Sequence, residues 1–176
     1  MPGPRFLEGD RVTLHPIEEE DVPFLQEMIN DPAVRRYLSR SEPLNMAQER
    51  EWFETVVSDD EGVVLLVVTD DGPAGTVGLH SVENMDGSAE IGLSLAREHW
   101  GEGYGTAACR LLTEYAFTET RRHRLVARVV GPNEASKRIW EKLGYRHEAV
   151  HREATYADGA YRDVHEYAVL ADEWGD

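Results

Sequence analysis

A glycine-rich turn between a strand and a helix constrains the fold of this chain more than any other feature. Three glycines occur between Trp100 and Thr106. The residues before this turn alternate between apolar and small or polar side chains, and apolar residues recur at helical spacing after it. A helix that begins there leaves free backbone N–H groups and the positive end of its dipole at the turn, and glycine lets a ligand approach the backbone closely. The turn therefore predicts an α/β fold with a candidate phosphate site at this junction.

Hydrophobic periodicity divides the rest of the chain into strands and helices. We predict strands at 11–15, 63–69, 76–82, 89–95, 125–130, 145–151 and 162–170. We predict helices at 18–30, 32–38, 45–57 and 104–118, and one that begins at Asn133. We expect Pro16 to end the first strand and Asn84 to begin a turn. We expect the strand at 63–69 to be buried on both faces. This order predicts a mixed α/β sheet in a single domain that spans residues 1–176.

The net charge of the chain argues against some classes of binding partner. Lysine and arginine total 18 against 34 aspartates and glutamates, which gives a formal net charge of −16. This acid excess argues against nucleic acid and anionic membrane surfaces as partners, because both require a basic patch. Only two of the basic residues are lysine, a combination that indicates a salt-accumulating, halophilic source. Recruitment of a cationic amine substrate would explain the same acidity.

Other sequence features favour a cytoplasmic location and a protein without metal. No apolar run approaches the ~20 residues that span a bilayer, and the first residues lack the apolar segment of a secretory signal. Cys109 is the only cysteine, which excludes an intramolecular disulfide and a cysteine-rich zinc site. We therefore expect no metal centre and a reducing compartment.

Two familiar phosphate-binding motifs do not fit the glycine turn. A nucleotide P-loop requires a lysine after its last glycine, and none follows here. The dinucleotide fingerprint requires glycine where Thr106 stands, and the next predicted strand runs into Gly131 and Pro132 rather than ending in an acid. A purely structural turn remains the alternative to a phosphate site.

The segment Trp100-Gly-Glu-Gly-Tyr-Gly-Thr106 resembles the acyl-CoA pyrophosphate loop of the GNAT superfamily of N-acetyltransferases, in the form seen in its RimJ/RimL-like branch. Asn133-Glu-Ala-Ser-Lys-Arg-Ile-Trp-Glu-Lys-Leu-Gly-Tyr145 is similar to a second motif of that superfamily, and the segment from Asp158 to Val164 is similar to the closing hairpin of the branch. The resemblance implies a GNAT-like fold and direct acetyl transfer from acetyl-CoA to an amine in a ternary complex.

The resemblance also implies where acetyl-CoA binds. The backbone around the turn would hold the pyrophosphate, through Trp100, Gly101, Glu102, Gly103, Tyr104, Gly105 and Thr106. The strand edge at Leu93, Ser94 and Leu95 would pair with pantetheine, after splaying away from the strand at 125–130. An N–H group near Leu95 would face the acetyl oxygen. Asn133 would bind the pantetheine arm, cap its helix, or do both.

The catalytic residues are less well defined by the resemblance. Many members place a tyrosine acid where this chain has Trp140, so Ser136 is the candidate acid, with a structural helix hydroxyl as the alternative. Glu90 is the candidate base, acting through water, unless it is a structural carboxylate; His80 is a weaker candidate. Cys109 could serve as a nucleophile, but a small core residue is the better interpretation.

The acceptor is the least constrained part of the hypothesis. Tyr37, Tyr156 and Asp163 would line its groove by analogy with the branch. The acceptor would be a protein N-terminus or a small cationic amine, and a homodimer is one assembly that the sequence leaves open. The alternative function is a non-catalytic acyl-CoA-binding or regulatory module on the same fold, which the absence of tyrosine at position 140 would favour.

Overall fold

One eight-stranded sheet organises the chain, and the computed structural model describes residues 2–58, 62–83 and 85–175. The strands are β1 (Leu7–Glu8), β2 (Thr13–Pro16), β3 (Gly62–Thr69), β4 (Gly72–Ser81), β5 (Ser88–Leu95), β6 (Arg124–Val130), β7 (Arg146–Ala157) and β8 (Ala160–Leu170). The helices are α1 (Val22–Asn30), α2 (Pro32–Arg35), α3 (Met46–Trp52), α4 (Tyr104–Glu119) and α5 (Glu134–Lys142). A π-helical turn (Phe53–Val57) extends α3, and short 3₁₀ turns occur at Glu19–Asp21, Arg97–His99 and Ala171–Glu173. The mixed single-domain fold expected from the sequence is confirmed.

The strand order is β1-β2-β3-β4-β5-β6-β8-β7, and among these described strands only β5 and β6 run parallel to each other. β4 pairs with β5 along its length as far as Leu95, whereas β6 pairs with β5 only at Ser88, Ala89 and Glu90. Beyond Glu90, the two parallel strands therefore separate. This splay opens a gap in the middle of the sheet, as the resemblance implies.

The sheet is covered on both faces. Leu112 of α4 and Trp140 of α5 belong to one buried cluster, which includes Leu65 and Val67 of β3. Leu66, between those two residues, belongs to a second cluster with residues of α1. Successive side chains of a strand point to opposite faces, so β3 is buried on both, as predicted. Among the described residues, none of the helices has both the length and the apolar character that crossing a membrane requires.

Several element boundaries differ from the prediction. Pro16 does not end the first strand but is the last residue of β2, where it pairs with Leu65. β1 does not extend opposite Pro16, so the missing N–H group leaves no ladder bond unmade. The first helix begins at Val22 after a 3₁₀ turn rather than at Glu18. The short strand β1 was not predicted, and Asn84, the first residue of a predicted turn, lies outside the described residues.

Candidate active site

The gap between β5 and β6 is a cleft of 730 Å³ that passes through the sheet. On one face, the glycine turn and α5 line it, and on the other face Tyr37, Leu38 and Trp52 line it. A molecule entering from the side of α4 and α5 and another entering from the side of α1 to α3 can therefore meet at β5. The cleft has the shape that a two-substrate reaction requires.

The glycine turn presents backbone amides that no group in the described part of the protein occupies. Gly101 and Gly103 adopt left-handed conformations with φ of 78° and 80°, and Gly103 immediately precedes α4 without a side-chain cap. Within the described ranges, none of the hydrogen bonds uses an amide of residues 101–106 as its donor. The first turn of a helix needs such donors satisfied by a ligand, a side chain or water. The turn is thus built to bind an anion at the N-terminus of a 16-residue helix.

Two further features fix the turn in place. The indole Nε1 of Trp100 donates a hydrogen bond of 2.9 Å to the carbonyl oxygen of Leu95, which ties the turn to the end of β5. A Cβ atom at Gly105 would lie 2.9 Å from both Ile139 and Leu93, so only glycine lets α4 pack this closely against α5 and β5. The role of Trp100 is therefore also to position the turn.

Arg11 does not line the cleft but lies beside the glycine turn, a position that the sequence did not reveal. Its guanidinium Nη1 lies 3.2 Å from the position that a Cβ of Gly103 would occupy, and its Cζ lies 5.7 Å from the centre of the Tyr104 ring. Within the part of the chain that the structure describes, Arg11 forms no salt bridge. An unpaired positive charge beside free amides increases the attraction for phosphate. No local pattern signals this contact, because Arg11 is far from the turn in sequence.

The edge of β5 offers N–H groups to the cleft. The amide of Ala96 donates to the carbonyl of Ala74 in the β4 direction. Because amides alternate in direction along an extended strand, those of Leu93 and Leu95 point away from β4. β6 has already separated at this level, so these amides face the cleft. They can pair with an extended ligand or stabilise negative charge on a carbonyl oxygen.

Glu90 lies at the point where the strands separate, and its partner is an arginine rather than loop amides. The guanidinium of Arg128 on β6 donates to the Glu90 carboxylate at 3.0 Å and also contacts Glu166 at 3.4 Å. The side chain of Glu90 is 37% exposed, and His80 lies directly opposite it on β4. The structure brings Glu90 and His80 together at the cleft wall.

The α5 residues form a small hydrogen-bonded chain. Asn133 caps the helix through its Oδ1, which accepts the amide of Ser136 at 3.2 Å. The buried Trp140 donates its indole N–H to the Ser136 Oγ at 3.3 Å, so Trp140 is part of the core and positions the serine. Because the Ser136 oxygen accepts this bond, its own proton remains available to a ligand. Asn133 likewise keeps its Nδ2 without an acceptor among the described residues, which makes capping and ligand binding compatible.

The structure places the remaining predicted residues in the core, at the cleft or away from the cleft. Cys109 is fully buried in the core, and burial raises the pKa of its thiol, so it is inaccessible as a nucleophile, and the interpretation as a core residue is confirmed. Tyr37 lines the cleft, whereas Tyr156 and Asp163 do not. Tyr156 is exposed against Tyr161, and Asp163 accepts the amide of Glu153 at 2.9 Å. In the described part of the chain, no group of three metal-ligating side chains occurs.

Comparison with known proteins addresses the family and the fold of the chain. The family model described as "Acetyltransferase (GNAT) domain" matches residues 11–146. The "Uncharacterized N-acetyltransferase p20" of Bacillus licheniformis is 30% identical over 173 residues, which cover 96% of this chain and 97% of that protein. The "Spermidine N(1)-acetyltransferase" of Escherichia coli strain K12 is 26% identical over 153 residues, which cover 87% of this chain and 82% of that protein.

A solved structure supports the same fold. Spermidine N-acetyltransferase from Vibrio cholerae, in complex with CoA and spermine, superposes with a TM-score of 0.87 at 21% identity. The superposition covers 96% of this chain and 100% of that one. Sequence, fold and comparisons agree, and the chain belongs to the GNAT family of acetyltransferases.

Proposed function

We propose that this enzyme transfers the acetyl group of acetyl-CoA directly to the primary amine of a small cationic acceptor, in a ternary complex. The observation that carries the proposal is the cleft through the sheet, with unoccupied amides of residues 101–106 at one mouth and the free edge of β5 in its wall. The pyrophosphate of acetyl-CoA would bind those amides, and its pantetheine arm would extend β5 as an added strand. The thioester would then lie beside Leu95.

The chemical step follows from this placement. The amine nitrogen attacks the thioester carbon, and the amide of Leu95 stabilises the negative charge that develops on the carbonyl oxygen. The carbon–sulfur bond then breaks, and the CoA sulfur takes the proton of Ser136 or leaves as a thiolate, which thiols allow far more readily than alcohols. Glu90 accepts the proton of the amine through a water molecule. Cys109 takes no part, because it is buried in the core.

Two observations support a small cationic acceptor. The formal net charge of −16 attracts cations and repels anionic substrates. A relative that covers most of the chain is named a spermidine acetyltransferase. A protein N-terminus, the other acceptor expected from the sequence, is one of the outcomes of the test below.

The direct test is an assay of CoA thiol release over a panel of mono-, di- and polyamines and N-terminal peptides, at low and high salt. We expect acetyl-CoA-dependent release with small cationic amines and little with peptides. Release of the CoA thiol with peptides alone would show that the acceptor is a protein N-terminus rather than a small amine. Tight binding of acetyl-CoA without release for any acceptor would favour the non-catalytic acyl-CoA-binding module.

The Glu90→Gln variant tests the proposed base. We expect its turnover to fall by about two orders of magnitude, and the acidic limb of its pH–rate profile to change, because the variant cannot accept the amine proton. Glu166→Gln is the matched control, since it removes the other carboxylate that contacts Arg128. An unaltered profile for Glu90→Gln, or equal losses in both variants, would show that Glu90 only holds the arginine.

A further inference from the structure

A second cavity of 770 Å³ adjoins the cleft on the α1 to α3 side of the sheet. The two cavities share part of their lining, namely Leu38, Trp52, Thr76 and Ser94. Ser94 and Thr76 are register partners on β5 and β4, next to the place where the thioester would lie. The two cavities therefore lie next to each other along this shared wall.

Glu49 of α3 lines the second cavity, and its burial is unusual for a charged side chain. The residue is 5% exposed, and within the described ranges none of the side-chain hydrogen bonds or salt bridges involves its carboxylate, whose oxygens are not fully enclosed. Burial raises the pKa of this carboxyl group, and the positive charge of Arg40 opposes the shift only in part. The other charged groups that line the cavity are Arg40, Glu42 and Glu51.

The carboxylate of Glu49 must reach the open space of the cavity, because among the described residues no fully buried side-chain oxygen lacks a hydrogen-bond partner. Its two oxygens are acceptors only, which makes a cation with N–H donors the complementary ligand. An alkyl ammonium group fits this description. Trp52 and Leu38, in the shared wall, offer apolar surface to the methylene groups of such a ligand, and the ring of Trp52 is able to bind a cation.

We propose that Glu49 binds the second ammonium group of a diamine or polyamine whose reacting amine lies in the main cleft. This inference rests on the proposed function and makes it more specific, since Glu49 would select acceptors with two positive charges. The reacting amine meets the thioester at β5, the aliphatic linker passes Trp52, and the distal ammonium forms an ion pair with Glu49. The binding energy of the distal group then orients the reacting amine.

The Glu49→Gln variant tests this inference with two related acceptors, 1,4-diaminobutane and butylamine, which differ in the distal amine. We expect kcat/KM for the diamine to fall by about tenfold or more, because a buried ion pair is lost, and kcat/KM for butylamine to stay within about twofold. Glu54→Gln is the matched control, since Glu54 is exposed nearby and does not line the cavity. Equal effects of Glu49→Gln on both amines, or no effect on either, would overturn the inference while leaving the proposed function intact.

Calorimetric titration of 1,4-diaminobutane into the CoA-bound protein separates the two proposals. We expect binding to the wild type and to Glu54→Gln, and at least about tenfold weaker binding to Glu49→Gln. Binding that depends on Glu49 in a protein that acetylates no amine would refute the proposed function and keep the cation site. Diamine binding that is equally tight in Glu49→Gln would refute the cation site.

The thermal stability of Glu49→Gln in the absence of ligand tests whether the carboxylate is unpaired. Because the pKa of Glu49 is raised in the folded state, its ionisation lowers stability as the pH rises from the ordinary glutamate range through that raised pKa. We expect Glu49→Gln to melt at a higher temperature than the wild type at pH 8, with a gain that shrinks as the pH falls toward about 4.3. A lower melting temperature at pH 8 would reveal a stabilising protein partner and contradict the inference.

Discussion

Replacing Gly103 with valine should weaken the binding of acetyl-CoA by about an order of magnitude or more, because several amide contacts to one diphosphate are disturbed together. Gly103 has a φ of 80° and precedes the first residue of α4, at the mouth of the cleft. A Cβ there would lie 3.2 Å from the Arg11 guanidinium, so the branched side chain would crowd that guanidinium and disturb the turn that carries the free amides. Calorimetric titration with acetyl-CoA measures the loss directly.

Gly144→Val is the control for backbone strain. Gly144 has a φ of 81°, and a Cβ there meets no atom within 4 Å, so its substitution carries the same left-handed backbone penalty away from the turn. We expect both variants to lose a similar free energy of unfolding, and only Gly103→Val to lose affinity. Equal affinities of the two variants for acetyl-CoA would contradict the assignment of the turn.

Gly92→Phe should reduce kcat/KM for acetyl transfer by about a hundredfold or more while acetyl-CoA still binds. Gly92 lies in the middle of β5 on the same face as Glu90 and Ser94, where its backbone is exposed to the cleft. A Cβ at this position meets nothing within 4 Å, and its φ lies outside the left-handed region. The phenyl ring would therefore fill the place of the attacking amine without straining the fold, and misplacement of a reactant is very costly to rate.

Gly92→Ala provides the comparison, since it adds only a methyl group to the same strand. We expect it to retain most of the activity and the unfolding free energy of the wild type, which steady-state kinetics and denaturant titration check. Full activity in Gly92→Phe would show that the acceptor does not approach along this face of β5. A loss of acetyl-CoA affinity as large as the loss of kcat/KM would place the ring in the donor site instead.

The periodicity of apolar residues predicted the order of the long strands and helices because most of them bury one face. β7 is the exception, since most of its residues are exposed. Leu65, Leu66 and Val67 form an uninterrupted apolar run, and the structure buries this run on both faces of the sheet. The periodicity failed at short elements. β1 has two residues, too few for any pattern, and Pro16 could stay in β2 because no strand pairs with it on the β1 side.

The features of the site likewise divide into those that the sequence revealed and those that required the structure. The turn at 100–106 and the capping role of Asn133 depend on local chain geometry, which sequence reveals. Arg11, the ion pair between Glu90 and Arg128, and the unpaired Glu49 depend on segments that meet only in the folded chain. A sequence contains no local signal for such contacts, so they required the structure.

The most direct test of this account is a crystal structure of the protein with CoA. We predict that amide nitrogens of residues 101–106 lie about 2.7–3.2 Å from oxygens of the diphosphate, with the pantetheine arm along the free edge of β5 beside Leu93 and Leu95. A diphosphate bound elsewhere on the chain, or amides of the turn that bind protein oxygens instead, would contradict it.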